Sequence, residues 1–183
     1  FINGLYRATV DARALHVDAR LIMCFLRDLS RESARKTLEE SLPYRDKFIG
    51  VGLDSDEHNN PPMKFFNQFA QAEQYGLRLT AHADIDQKDS IEHIRDLLEV
   101  IGVERIDHGT NIVEDPDLVE YAAKHHIGFT TCPLSNTFVR PEMKGPEVLE
   151  LLAKGVKVSA HSDDPAYFGG YISDNYYALA DAF

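Results

Sequence analysis

Two adjacent carboxylates, Asp163 and Asp164, end a short apolar run in the stretch KVSAHSDDPAYFGG (157–170). Like charges side by side at a strand end repel and lose water, so they call for a neutralising partner. A divalent metal ion, a cation or a hydrogen-bonding ligand supplies one. Asp-Asp-Pro is also good turn chemistry, since Asp caps and Pro fixes φ. Other strand-like runs end in the same kind of residue: Asp54-Ser55, His82-Ala83-Asp84, Asp107-His108-Gly109 and Ser135-Asn136. Imidazole and carboxylate together, with open positions, make a borderline-hard divalent site suited to zinc or iron. His82 and Asp163 come from different strands, as an inward-facing site requires. Each residue also has a purely structural reading. His82 can be a core histidine bonded to a carbonyl, His108 a strand end beside Gly109, and Ser135-Asn136 an Asx-type turn. His16, His58, His93, His125 and His126 fall in helices or polar loops and read as surface residues. His161 stays open.

The elements that must position these groups are α/β in pattern. LIMCFL (21–26) and FIGVGL (48–53) are continuous apolar runs of the kind found in strands covered on both faces. Asp28 and Ser30 offer N-caps for a helix over RESARKTLEESL. Pro61-Pro62 opens an amphipathic helix, MKFFNQFAQAEQY. Residues 1–19 carry only a weak helical signal. From there a unit repeats. Gly76, Gly102, Gly128 and Gly155 each stop a helix and precede a strand, at intervals of 26 or 27 residues. Glycine after a helix is the left-handed cap position. Helix, stop, strand and loop at this length mean parallel βα units, whose right-handed crossovers put every strand C-end at one face. The near-constant repeat favours a (β/α)8 TIM-type barrel over a doubly wound sheet, and a barrel builds its site at those C-ends.

Composition narrows the classes. The chain has 183 residues, a net charge of −11, 44% hydrophobic residues and no Trp. Such an acidic chain is a poor match for nucleic acid or an anionic membrane surface. No apolar run reaches the roughly 18–20 residues that span a bilayer. Two cysteines, Cys24 and Cys132, lie far apart in strand-like runs, so reduced thiols in the cytoplasm are expected.

Taken together, the motifs resemble the adenosine/adenine deaminases of the metal-dependent amidohydrolase superfamily. They are CFLRDLS (24–30), PYRDKFIGVGLDSDE (43–57), the His82 segment, ERIDHG (104–109), CPLSN (132–136) and SDDPAYFGGY (162–171), in order through nearly the whole chain. GLDS, RIDHG and DDPAYFGGY look more like the adenine-deaminase branch. The resemblance implies one zinc ion per site with His82 and Asp163 among its ligands. It makes His108 the catalytic group that accepts or holds the proton of the attacking water. Asp164 would bond a ring nitrogen of the purine, and Ser55 would sit at the far edge of the base. The implied reaction is hydrolytic deamination at C6 of adenine, adenosine or an N6-substituted relative.

Two departures from the family pattern stand out. No His-x-His pair occurs, and the strand at 21–26 corresponds to the family's third. The expectation is therefore a single partial barrel domain over 1–183, with about six of the eight βα units, strands three to eight. Two further His ligands would come from an absent N-terminal part, so zinc binding by these residues alone is expected to be weak. Open sheet edges favour association, but the oligomeric state is not legible. Secondly, the family's His-Ala-Gly-Glu reads His82-Ala83-Asp84-Ile85 here. Ile cannot move a proton, and Asp84 is the candidate substitute acid. Another C–N hydrolase, or an impaired purine binder, remains the alternative.

Overall fold

The computed structural model describes residues 1–83, 86–140 and 142–183. Helices and strands alternate: α1 (Ile2–Asp11), β1 (Ile22–Leu26), α2 (Arg31–Ser41), β2 (Gly50–Asp54), α3 (Phe66–Gln74), β3 (Arg78–Ala83) and α4 (Ser90–Arg95). There follow β4 (Arg105–His108), α5 (Pro116–Lys124), β5 (Gly128–Thr131) and the short α6 (Pro133–Asn136). α7 (Gly145–Ala153), β6 (Lys157–Ala160), the short α8 (Pro165–Phe168) and α9 (Ile172–Ala182) complete the chain. The sheet has six strands in chain order, and β1–β2, β2–β3, β4–β5 and β5–β6 pair in parallel. The α/β class and the run of six consecutive barrel units are borne out. Among the described residues no helix is long and apolar enough to cross a membrane.

The chain divides into two compact units, Phe1–Thr80 and Ala81–Phe183. In the first, Phe25 of β1 packs against Phe65 and Phe69, with ring centroids 6.4 and 5.9 Å away. Ser30 caps α2, its hydroxyl oxygen accepting the Ser33 N–H at 3.1 Å. The loops that follow β1 and β2 are locked by one wholly buried side chain, Arg27. Its guanidinium lies 2.8 Å from the buried Glu57 carboxylate and donates to the Asn60 carbonyl at 3.0 Å. Its amide donates to the Asp54 carbonyl at 2.9 Å, and Lys64 donates to the Arg27 carbonyl at 2.8 Å. Arg27 thus closes the 54–60 loop from three sides. Ser55, the exposed residue that leaves β2, has a left-handed backbone at φ 79.

In the second unit Ile106 and Phe129 pair across β4 and β5 and are buried, together with Ile94, Leu97, Leu118 and Leu151. Gly102 and Gly155 end their helices at φ 79, as the repeat predicts. Gly128 does not. It is the first residue of β5, and the left-handed turn after α5 is made two residues earlier by His126, φ 59. Histidine is among the residues that tolerate that region best, so the repeat survives while the stop moves. His93 is a second correction. It is only 4% exposed, with Nε2 3.6 Å from the Asp89 carboxylate, because α4 turns that face inward.

Glu57→Gln would leave the Arg27 charge buried without its counter-charge, and is expected to lower stability by about 3–5 kcal/mol. A urea melt reads this directly. An unshifted midpoint would mean that the pair is not what closes the loop.

Candidate active site

The second unit carries a cluster built from three strand ends. β3 delivers His82, β4 delivers His108, and the turn after β6 delivers Asp163. The His82 and His108 rings meet edge to face, centroids 4.5 Å apart. His108 Nε2 lies 3.5 Å from Asp163 Oδ2. His108 is buried and Asp163 is partly open to solvent.

Both partners are held from one short helix. Asn136 Oδ1 accepts from His108 Nδ1 at 3.1 Å, and the Asn136 amide nitrogen donates to the Met143 carbonyl at 3.2 Å. That second bond fixes which way the amide points, so Nδ1 carries the hydrogen and Nε2 is the atom turned toward Asp163. Ser135 donates its hydroxyl to Asp163 Oδ2 at 2.6 Å. Both α6 residues therefore aim the site instead of merely making the expected turn. Pro133 opens α6 directly after β5, which is why Ser135 and Asn136 reach the strand ends.

The backbone is strained where the chemistry sits. His108 and Asp163 have φ of 61 and 56 although neither is glycine. Such conformations cost of order 1–3 kcal/mol each and persist only where surroundings over-determine them. Gly109 follows at φ 61, and a Cβ there would lie 2.4 Å from Ile106. Its amide donates to the Ala83 carbonyl at 2.9 Å, which ties the end of β3 to the end of β4.

Cys132, only 6% exposed, sits beside this pair. The Asp163 amide donates to its sulfur, yet burial and then the Asp163 and Asp107 carboxylates push the thiol up to about 12. One ligand atom each from His108, Cys132 and Asp163 lies within 4.8 Å of the others. On the neighbouring face, Asp107 accepts from the Thr130 hydroxyl and lies 3.1 Å from Arg105 Nε. His161 takes the Thr131 carbonyl on its amide at 2.8 Å, and its ring meets Ser159 Oγ at 2.7 Å. Desolvation of the ring, then Arg105, hold His161 below the usual histidine range.

Of the residues singled out in the sequence, His82, His108 and Asp163 are brought together. Asp164 follows in the exposed turn, where its carbonyl accepts the Tyr167 and Phe168 amides and its side chain makes no cap to α8. Ser55 belongs to the first unit. Asp84 lies outside the described residues. Sequence reasoning placed Ser135 and Asn136 at a strand end with an Asx-type turn as their structural reading and gave Cys132 no place in the site, although CPLSN after a strand was the signal for all three. In kind, the donors fit zinc: imidazole and carboxylate, with Asp163 already oriented by a hydroxyl. In number, His82 and Asp163 are one short of the three protein ligands zinc usually keeps. Asn136→Ala should release the His108 ring, shifting hydrogen from Nδ1 toward Nε2. Imidazole nitrogen NMR reads the tautomer, and an unchanged Nδ1–H form would remove Asn136 from that role.

Comparison with known proteins bears on the fold and the family. The profile of the adenosine deaminase family, described as "Adenosine deaminase", matches residues 1–183. An uncharacterized deaminase of Schizosaccharomyces pombe is 52% identical over 177 residues, covering 96% of this chain and 52% of its own length. The crystal structure of adenine deaminase from Arthrobacter aurescens superposes with a TM-score of 0.90 at 40% identity, covering 99% of this chain and 56% of that one. A zinc-bound amidohydrolase from Burkholderia ambifaria gives 0.84 at 26% identity, covering 93% and 49%. The chain spans about half the length of the curated relatives it matches. Motifs, strand order and these likenesses agree: the chain belongs to the adenosine deaminase family.

Proposed function

We propose that these residues form the strand-three-to-eight part of a single barrel domain whose protein hydrolytically deaminates an adenine-type purine in the cytoplasm. The reaction replaces the amino group at C6 with oxygen and releases ammonia. The observation that carries the proposal is the convergence of His82, His108 and Asp163 at the ends of β3, β4 and β6. The 40%-identical adenine deaminase supports the substrate class.

The roles follow from the atoms. His82 and Asp163, with two imidazoles from outside these residues, would hold a divalent ion, zinc by preference, which acidifies water to a pKa of about 7. His108 Nε2 takes and holds a proton, since Asn136 occupies Nδ1. Ser135 keeps one Asp163 oxygen aimed at the same point. Asp164, exposed beside Asp163, offers an acceptor to a ring nitrogen, and Ser55 meets the far edge of the base. Asp84 supplies the ring-nitrogen proton in place of the carboxylate whose position Ile85 fills. That Ile favours one second reading, a relative that binds purine without turning it over.

A chimera tests this. The N-terminal half of the Arthrobacter aurescens adenine deaminase is joined to this chain, loaded with zinc, and assayed on adenine, adenosine and N6-methyladenine. Release of ammonia, or of methylamine from N6-methyladenine, is expected, falling by about 10²–10⁴-fold in His108→Ala and in Asp84→Asn. Full activity in Asp84→Asn would remove that residue. Binding without turnover of any of the three would replace the enzyme reading with the binding one.

A further inference from the structure

The roles above leave Cys132 idle. A buried cysteine is commonly a small apolar filler. Cys132 is not in that setting, because its sulfur lies among the His108 imidazole, the Asp163 carboxylate and the Asp107 carboxylate. We propose that Cys132, His108 and Asp163 form a thiolate-containing cation site that takes a soft divalent ion without any residue from outside the chain.

Three separate elements supply the donors: the end of β4, the residue after β5 and the turn after β6. Their ligand atoms lie within 4.8 Å of one another. A tetrahedral ion with bonds of about 2.0–2.3 Å needs donors roughly 3.5 Å apart. Rotation of the Asp163 side chain, 22% exposed, covers the difference. Cys132 and His108 are 6% and 7% exposed, and Asp163 forms the open side through which an ion reaches them.

The donor set decides the class of ion. One thiolate and one carboxylate balance a divalent charge, and the neutral imidazole adds a third bond. Sulfur draws cadmium or zinc and turns away magnesium and calcium, which take oxygen. As the sulfur–metal bond forms, the thiol proton passes to solvent. This site shares only Asp163 with the His82–Asp163 pair. An ion held here would also occupy His108 Nε2, so on the proposed function it inhibits; the binding itself does not rest on that reading.

Cadmium alone, titrated into this chain, provides the test. One ion per chain is expected, with a thiolate-to-cadmium charge-transfer band in the ultraviolet that persists in Cys24→Ser and disappears in Cys132→Ser. Asp163→Asn should weaken binding at least tenfold. Cadmium-113 NMR of the unmodified chain keeps the test independent of any variant's folding, because one sulfur ligand moves the resonance far from the all-nitrogen-and-oxygen range. A band absent from the unmodified chain, a band surviving in Cys132→Ser, or a resonance without sulfur would each overturn the site. Failure of the deaminase assay would leave these readouts unaffected.

Discussion

One short helix turn holds the two groups on which the site depends. Asn136 takes the Nδ1 hydrogen of His108, and Ser135 gives its own to Asp163. Without those bonds nothing would set an imidazole nitrogen and a carboxylate oxygen 3.5 Å apart at the ends of β4 and β6. Both residues sit in left-handed backbone, which costs any non-glycine residue free energy although His and Asp tolerate it better than most. The hydrogen bonds, together with the Gly109 amide on the Ala83 carbonyl, are what over-determine those conformations. An arrangement so fixed costs no reorganisation when a ligand arrives, which is the condition that the proposed electrostatic work in a partly dry site would need.

The first unit solves a related problem by other means. Its 54–60 loop would be a mobile connection if Arg27 did not bond the Asp54 and Asn60 carbonyls and the Glu57 carboxylate together. The ion pair is wholly buried, so each partner must compensate the other. Such a device spends core volume on charge in order to give one loop one shape, and Ser55 lies in that loop.

Much of this was legible in the sequence because it rests on local rules. Continuous apolar runs marked the strands, Ser30 marked a helix start, and glycines at a regular spacing marked three of the four later helix stops. Gly128 misled because a histidine can take the left-handed position, and His126 did. His93 misled because a polar helix position was read as outward, whereas α4 buries it. The site was legible as a collection of strand-end residues, not as an arrangement. That Asn136 would choose a tautomer, or that Cys132 would share a corner with Asp163, depends on α6 folding back across β4 and β6. No spacing within a single segment encodes that. Left-handed backbone at His108 and Asp163 was equally invisible, since His and Asp tolerate that region better than most residues but adopt it too seldom for residue type to mark it.

The account turns on His82, His108 and Asp163 surrounding one ion position. Crystals of the chimera that carries the N-terminal half of the Arthrobacter aurescens enzyme, grown with zinc and measured at the zinc absorption edge, would address it most directly. The prediction is an anomalous peak among these three side chains, with His82 edge-on to His108 and the Asp163 carboxylate still bonded to Ser135. Side chains scattered behind unrelated partners, or an ion bound elsewhere with this corner collapsed, would contradict it.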